Sequence, residues 1–366
     1  MKVERKEVVL DMRELPREKR GKIGGQYPHS VEDKIYFQLE EPKQIGYAIW
    51  DGKQYNKPKD NVVITNSLAA HNWRVFVDDN PNTPPEERYK AVGGYHVGRG
   101  SIAITPAAAG KFKQDLYATL VDCPISKDLE VVKVIDPVWP ESAKLIFKDD
   151  FYHPRHANGL YVFVSSDGIN WKEYHDRPVF SILTECEDLP IGVLGLDWMP
   201  SIFFDHNINE YVIYLRANIA LGCRNIMYSR SKDLINWTKP SLIKCNPEFD
   251  AKNKQNFYFS GVYPMGDNYV AFPPHFTNKI HDADGHHRTY ENEYTPVMIS
   301  SDGVNWEIKT KILESNTGQH LYQPHVCTFK EHDDECVLYV HEGFQTANGK
   351  LVKYLIHKDD LIGLMQ

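Results

Sequence analysis

The chain has 366 residues, 42% hydrophobic and 12% aromatic, enough to fill the core of a large globular body. Its 42 basic and 50 acidic residues leave a net charge of −8, which argues against a phosphate backbone as partner and leaves neutral or cationic ligands open. No stretch approaches the ~20 apolar residues of a membrane helix, and the opening Met1-Lys2-Val3-Glu4-Arg5-Lys6 runs into more charge than a secretion signal carries, so a cytoplasmic location is expected.

In chain order, the first visible strand is Ile45–Ile49, which enters the turn Trp50-Asp51-Gly52-Lys53-Gln54-Tyr55. Alternation then predicts strands at Trp73–Val77 and Arg88–Val92, joined by a bend at Asp78-Asp79-Asn80-Pro81, with the third strand of that unit delayed to Leu160–Val164. The intervening insertion, about 97–158, is long enough to expect a functional role or an oligomer contact. The turn returns as Ser166-Asp167-Gly168-Ile169-Asn170-Trp171. Strands Ser201–Phe204, Tyr211–Leu215 and Asn225–Ser229 lead to its third copy, Lys232-Asp233-Leu234-Ile235-Asn236-Trp237. Gly261–Tyr263, Tyr269–Phe272 and Val297–Ile299 lead to the fourth, Ser301-Asp302-Gly303-Val304-Asn305-Trp306, and Ile308–Leu313 follows it. Val326–Phe329, Val337–Val340 and Val352–Ile356 form a shortened last unit. The first unit is only half visible, so the N-terminal stretch, or pairing with the C-terminal end, must complete it and close the ring.

Each turn has a local logic. The Asp side chain bonds the amides just after it, Gly accepts a positive φ, and Asn closes the bend. The final Trp buries about 150 to 250 Å², at most about 4 to 6 kcal/mol, so Trp171, Trp237 and Trp306 read as blade anchors in preference to sugar-stacking platforms. The last three aspartates stand 66 and 69 residues apart, a spacing suited to a four-stranded sheet with its loops. The expected fold is therefore all-β, a five-bladed β-propeller of four-stranded antiparallel blades, one domain over 1–366 with the insertion in blade two.

The six cysteines form no CxxC pair and read as reduced, mostly buried thiols. His281-Asp282-Ala283-Asp284-Gly285-His286-His287 is half of a calcium loop without its remaining ligands, so it reads as a solvated loop. No metal site and no cofactor are expected, with room left for an axial structural cation.

Leu196-Asp197-Trp198-Met199-Pro200-Ser201-Ile202-Phe203-Phe204-Asp205, followed by Glu210-Tyr211-Val212-Ile213-Tyr214, resembles the Asp-led inner strand of five-bladed propeller glycoside hydrolases, the invertase and arabinanase superfamily. His71-Asn72, Asp78-x-Asn80-Pro81, Glu87 to Gly94 and Leu338 to Phe344 are similar to an uncharacterised, glycosidase-like branch of it. The resemblance implies hydrolysis of an oligo- or polysaccharide by paired carboxylates at one end of the axis, where inner strands begin and second strands pass to third.

Asp197 meets that rule, with Trp198 and apolar neighbours that would perturb its pKa, and is the expected ionised partner. Glu342, after the second strand of the last unit, is the expected acid, with Glu293 or Glu291, in the equivalent loop of blade four, as the alternative to it. Glu185 is a weaker match because Glu187 stands where invertases carry proline. His71, Asn72, Trp198, Arg216, His275, Tyr322, Gln323 and His325 are the expected substrate-binding residues, since sugars take paired hydrogen bonds and a flat face. Asp78 and Asp79 fall on the opposite rim and read as a structural turn. A carbohydrate-binding propeller without turnover and a sialidase-like enzyme are the alternatives. The former follows from the missing acid at His71-Asn72, and the latter lacks an evident arginine triad.

Overall fold

The computed structural model describes residues 1–14, 26–40, 43–57, 61–65, 72–95, 103–104, 133–134, 159–175, 178–180, 184–187, 189, 194–196, 199–220, 223–250, 255–258, 261–280, 288–315, 323–343, 346 and 348–366. They form an all-β propeller. Gln26–Val31, Lys34–Glu40, Lys43–Trp50 and Tyr55–Asn56 make the first sheet, with Val62–Thr65 also on its third strand. Arg74–Val77, Tyr89–Tyr95, Gly159–Ser165 and Lys172–Glu173 make the second. The third has Ser201–Asp205, Glu210–Ala220, Cys223–Ser231 and Ser241–Leu242, and the fourth Val262–Met265, Asn268–Ala271, Arg288–Ser300 and Asn305–Ile312. In the fifth, His325–Glu331, Glu335–Glu342 and Lys350–His357 are followed by Val3–Asp11.

Four of these sheets end on the repeated turn. The fifth has none, and its outer strand comes from the other end of the chain. Val3 pairs with Ile356 and Asp11 with Lys350 in antiparallel register. The first unit, half visible in the sequence, is completed by Gln26–Val31 and Lys34–Glu40 from the N-terminal stretch, and the pairing between the two ends of the chain falls in the last unit. Inner strands of neighbouring sheets touch. Gln26–Val31 touches Arg74–Val77 and His325–Glu331, Ser201–Asp205 touches Arg74–Val77 and Val262–Met265, and Tyr263 packs on Phe329 with ring centroids 5.7 Å apart. Arg74 reaches across the centre, its Nη1 donating to the Cys327 carbonyl at 2.6 Å.

The expected insertion falls between the second and third strands of the second sheet, which pair with Val92 opposite Val162. Of it, Ala103–Ile104 pairs with Lys133–Val134. The expected oligomer contact lies outside the described residues, as does the 281–287 loop.

The turns behave as their residue types require. Asp167 Oδ1 accepts from the Ile169 and Asn170 amides at 2.8 Å, and Oδ2 from Asn170 Nδ2 at 2.7 Å. Asp233 and Asp302 repeat the pattern. Partial burial opposes ionisation, but these donors outweigh it and hold Asp167 and Asp233 down to about 2. Each Trp closes its own turn: the indoles of Trp171, Trp237 and Trp306 donate to Gly168, Leu234 and Gly303 carbonyls at 3.1, 3.0 and 3.0 Å. Gly303 has φ +75, and a Cβ there would stand 2.6 Å from the Tyr214 hydroxyl, which donates to its carbonyl. Only glycine allows that contact.

A second repeat fixes neighbouring sheets to one another. A tyrosine opening the second strand reaches an acid in the preceding sheet: Tyr89 to Glu32, Tyr211 to Asp78 at 2.8 Å and Tyr269 to Asp205 at 2.5 Å. Asp78 is thus the structural residue expected. Its carboxylate is buried, accepts from Thr83 Oγ1 at 2.7 Å, and pairs with the equally buried Lys90 Nζ at 3.0 Å. Removing one partner of a buried pair strands the other charge. Lys90→Met is expected to lower unfolding free energy by about 3 to 5 kcal/mol, with Asp78→Asn in the same chain restoring part of it. Urea titration measures both, and a loss under about 1 kcal/mol for the single variant would contradict the pair's role.

Candidate active site

The end of the ring where inner strands begin is plugged by Tyr27, Met199, Tyr258, Phe276 and Cys327, drawn from the first, third, fourth and fifth sheets. Tyr258 is its hub. Arg216 and Arg224 place their guanidinium carbons 5.7 and 5.2 Å from its ring centre, and His325 stacks on it at 6.1 Å. Arg224 Nη1 also donates to Asn256 Oδ1 at 3.4 Å. Two cations beside one aromatic ring make a site suited to oxygen-rich ligands.

Glu293 is brought to this end by a short arm on the fourth sheet. Pro273 and Pro274 interrupt the second strand, after which His275–Ile280 pairs with both Gln255–Phe257 and the start of Arg288–Ser300. The register slips between His275 opposite Tyr294 and Thr277 opposite Glu291, so Asn292 and Glu293 together face Phe276. Asn292 takes φ +53 at the bulge. Bulges re-aim side chains, and here Glu293 becomes 4% exposed while Glu291 stays at the surface. Ser315 donates to Glu293 Oε2 at 3.1 Å and, through its amide, to the Glu293 carbonyl at 2.9 Å. Two residues on, Thr295 Oγ1 reaches the Pro324 carbonyl at 3.5 Å, joining this strand to the Gln323–His325 segment.

The remaining expected residues separate into groups. Arg216, His275, Gln323 and His325 are all buried at this end. Gln323 is 1% exposed, and among the described residues neither its side-chain nitrogen nor its oxygen has a hydrogen-bond partner, a state that water or a ligand relieves. Asn72 is a brace: its amide nitrogen donates to the Gly94 carbonyl at 3.3 Å and to that of Leu196. Asp197, Trp198, His71 and Tyr322 lie outside the described residues, although Leu196 and Met199, flanking the first two, are buried.

Glu342 does not fit the acid role expected of it. Arg5 grips both carboxylate oxygens at 2.8 and 3.0 Å and the Tyr354 hydroxyl donates at 2.6 Å. Burial would raise its pKa, but these donors prevail and hold it below the usual carboxylate range. It secures the ring's closing strand. Glu185 is exposed and paired with Lys239 at 2.6 Å.

Missed by the sequence were Tyr258, Arg224, Asn256 and Ser315. Tyr258 precedes its inner strand as Asp197 precedes another, so the positional rule used for Asp197 could have found it.

Three histidines near the axis are neutral. Burial pushes His275 down to about 4 and His341 down to about 3, and His29 well below the ordinary value. His275 Nδ1 donates to the Asn292 carbonyl at 2.9 Å and its ring stacks on Tyr294 at 4.2 Å, leaving Nε2 as acceptor. An unfolded histidine protonates near pH 6.5 while these do not, so stability is full above that pH and is lost as pH falls toward 4 and 3. His275 and His341 should each cost the fold about 2 kcal/mol by pH 5. Melting temperature measured from pH 7.5 to 4.5 checks this, and a flat profile would refute it.

No protein-family model and no curated protein sequence matches this chain. Solved structures do match. An endo-arabinase from Bacteroides thetaiotaomicron superposes with a TM-score of 0.51 at 12% identity, over 96% of this chain and 98% of that one. A glycosyl hydrolase from Bacteroides ovatus gives 0.50 at 12% identity over 98% and 94%. BT0996, in a complex with RGII, gives 0.50 at 11% over 96% and 92%. The fold is that of the propeller glycoside hydrolases. The strand pattern after Asp197 implied as much.

Proposed function

We propose that the chain is a glycoside hydrolase acting on an oligo- or polysaccharide, its five sheets being five blades of one ring with the site at the end where inner strands start. The fold shared with an endo-arabinase and a glycosyl hydrolase supports the reaction class. One observation carries the assignment to this site: the bulge that buries Glu293 opposite Phe276, whose ring packs 5.9 Å from that of Tyr258, the ring on which Arg216, Arg224 and His325 converge.

In this reading Glu293 protonates the leaving oxygen as the glycosidic bond breaks, and Asp197 is the ionised partner that acts at the anomeric carbon or on a water beside it. The arginines and the Gln323 amide hold sugar hydroxyls, and the Tyr258 face supports a ring. Neutral His275 supplies an acceptor at Nε2. No cofactor enters these steps. Turnover of a panel of aryl glycosides and oligosaccharides by the parent chain, lost in Glu293→Gln and Asp197→Asn, is the test. Full activity in either variant removes that residue from the mechanism, and sugar binding without any product would leave a carbohydrate-binding propeller.

A further inference from the structure

Ser315 stands outside the set of residues proposed to touch substrate, yet it bonds both the carboxylate and the backbone of Glu293. Its hydroxyl donates to Oε2 at 3.1 Å and its amide to the Glu293 carbonyl at 2.9 Å. Reaching that position requires an abrupt change of direction. The strand Asn305–Ile312 ends with Ile312 opposite Thr295, and Leu313 then takes φ +48, a left-handed conformation unfavourable for a branched apolar residue. Asn292, immediately before the acid, takes φ +53. Two non-glycine residues in the left-handed region thus bracket the Glu293–Ser315 contact. Such conformations persist where surrounding contacts over-determine them, and they gather at functional sites.

We infer that Ser315 is the positioning residue of the proton donor, fixing the Glu293 carboxyl so that Oε1 carries the transferred proton. The inference rests on the reading of Glu293 as the acid. Its chemistry follows from hydrogen-bond direction. A hydroxyl that donates to Oε2 makes Oε2 the carbonyl-like oxygen of the neutral acid, so the O–H is on Oε1. When the glycosidic bond breaks, that proton passes to the departing oxygen, the carboxylate forms, and Ser315 keeps its bond to Oε2, where the new charge is shared. Ser315 therefore aims the donor and stabilises the product of proton transfer.

A poor leaving group needs protonation and an activated one does not, which separates this role from a structural one. The experiment compares the parent chain with Ser315→Ala, Ser315→Cys, Ser315→Thr and Glu293→Gln on two aryl glycosides of the same sugar, one with a phenol and one with a dinitrophenol leaving group. Ser315→Ala and Ser315→Cys should lose about 10- to 100-fold in kcat on the phenyl glycoside and less than about 3-fold on the dinitrophenyl one. Ser315→Thr, which keeps the hydroxyl, should restore most of that loss. Equal losses on the two substrates overturn the inference while Glu293→Gln remains inactive on the phenyl glycoside. If Glu293→Gln is itself fully active, the reading of the acid falls and this inference falls with it.

Discussion

A chain lacking residues 1–11 should fail to fold into a stable ring, showing a low or absent thermal transition and eluting as aggregate. Strand Val3–Asp11 supplies the whole outer edge of the fifth sheet, in register with Lys350–His357. It buries Leu10 at 3% exposure against Phe37, Leu39 and Leu351, linking the last sheet to the first. Burial of one such side chain contributes about 1.5 to 3 kcal/mol, and each of several ladder hydrogen bonds about 1 kcal/mol. Together with the Arg5–Glu342–Tyr354 cluster, the loss is of the same order as the roughly 5 to 15 kcal/mol that separates native from unfolded states. Deletion would also uncover the edge of Lys350–His357, which invites pairing between molecules. Calorimetry and size-exclusion chromatography check this; a monomer melting within about 3 °C of the full chain would show the strand to be dispensable.

Glu293→Gln should reduce kcat about 1,000-fold on substrates with poor leaving groups, within the range attributed to a positioned proton donor. Glutamine keeps the length and one acceptor oxygen, so the Ser315 hydroxyl retains a partner and the bulge is undisturbed. Circular dichroism and melting temperature should therefore match the parent while turnover does not. Asp197→Asn should cost at least as much. Substitution of Glu342 behaves oppositely: its partners are Arg5 and Tyr354, so Glu342→Gln lowers melting temperature more than it lowers kcat per folded molecule. Finding the reverse would return Glu342 to the active site.

The sequence revealed what is local. Asp, Asn and Trp within five residues determine one turn, and each forms its bonds within that turn, so three sheets, and a fourth from the related Asp51-Gly52-Lys53-Gln54-Tyr55, could be counted from the letters alone. Alternation located the strands around them for the same reason. The closing strand was hidden because Glu4, Arg5, Lys6 and Glu7 make it look like a solvated tail, and its partner lies at the far end of the chain. Glu342 was misread on the same ground, since Arg5, which holds it, stands 337 residues away. At the candidate site, the letters Glu291-Asn292-Glu293 offer two acids, and only a register slip decides which is buried. Ser315 follows a left-handed Leu313 that no residue preference would suggest.

The pairing of Val3–Asp11 with Lys350–His357 has a further consequence during synthesis. At about 5 to 20 residues per second, the 337 positions separating Arg5 from Glu342 take on the order of tens of seconds to translate. For that interval the early segment has no mate, and four of its nine residues are charged in succession, a composition that keeps a lone ribbon from sticking to its neighbours on a crowded polysome.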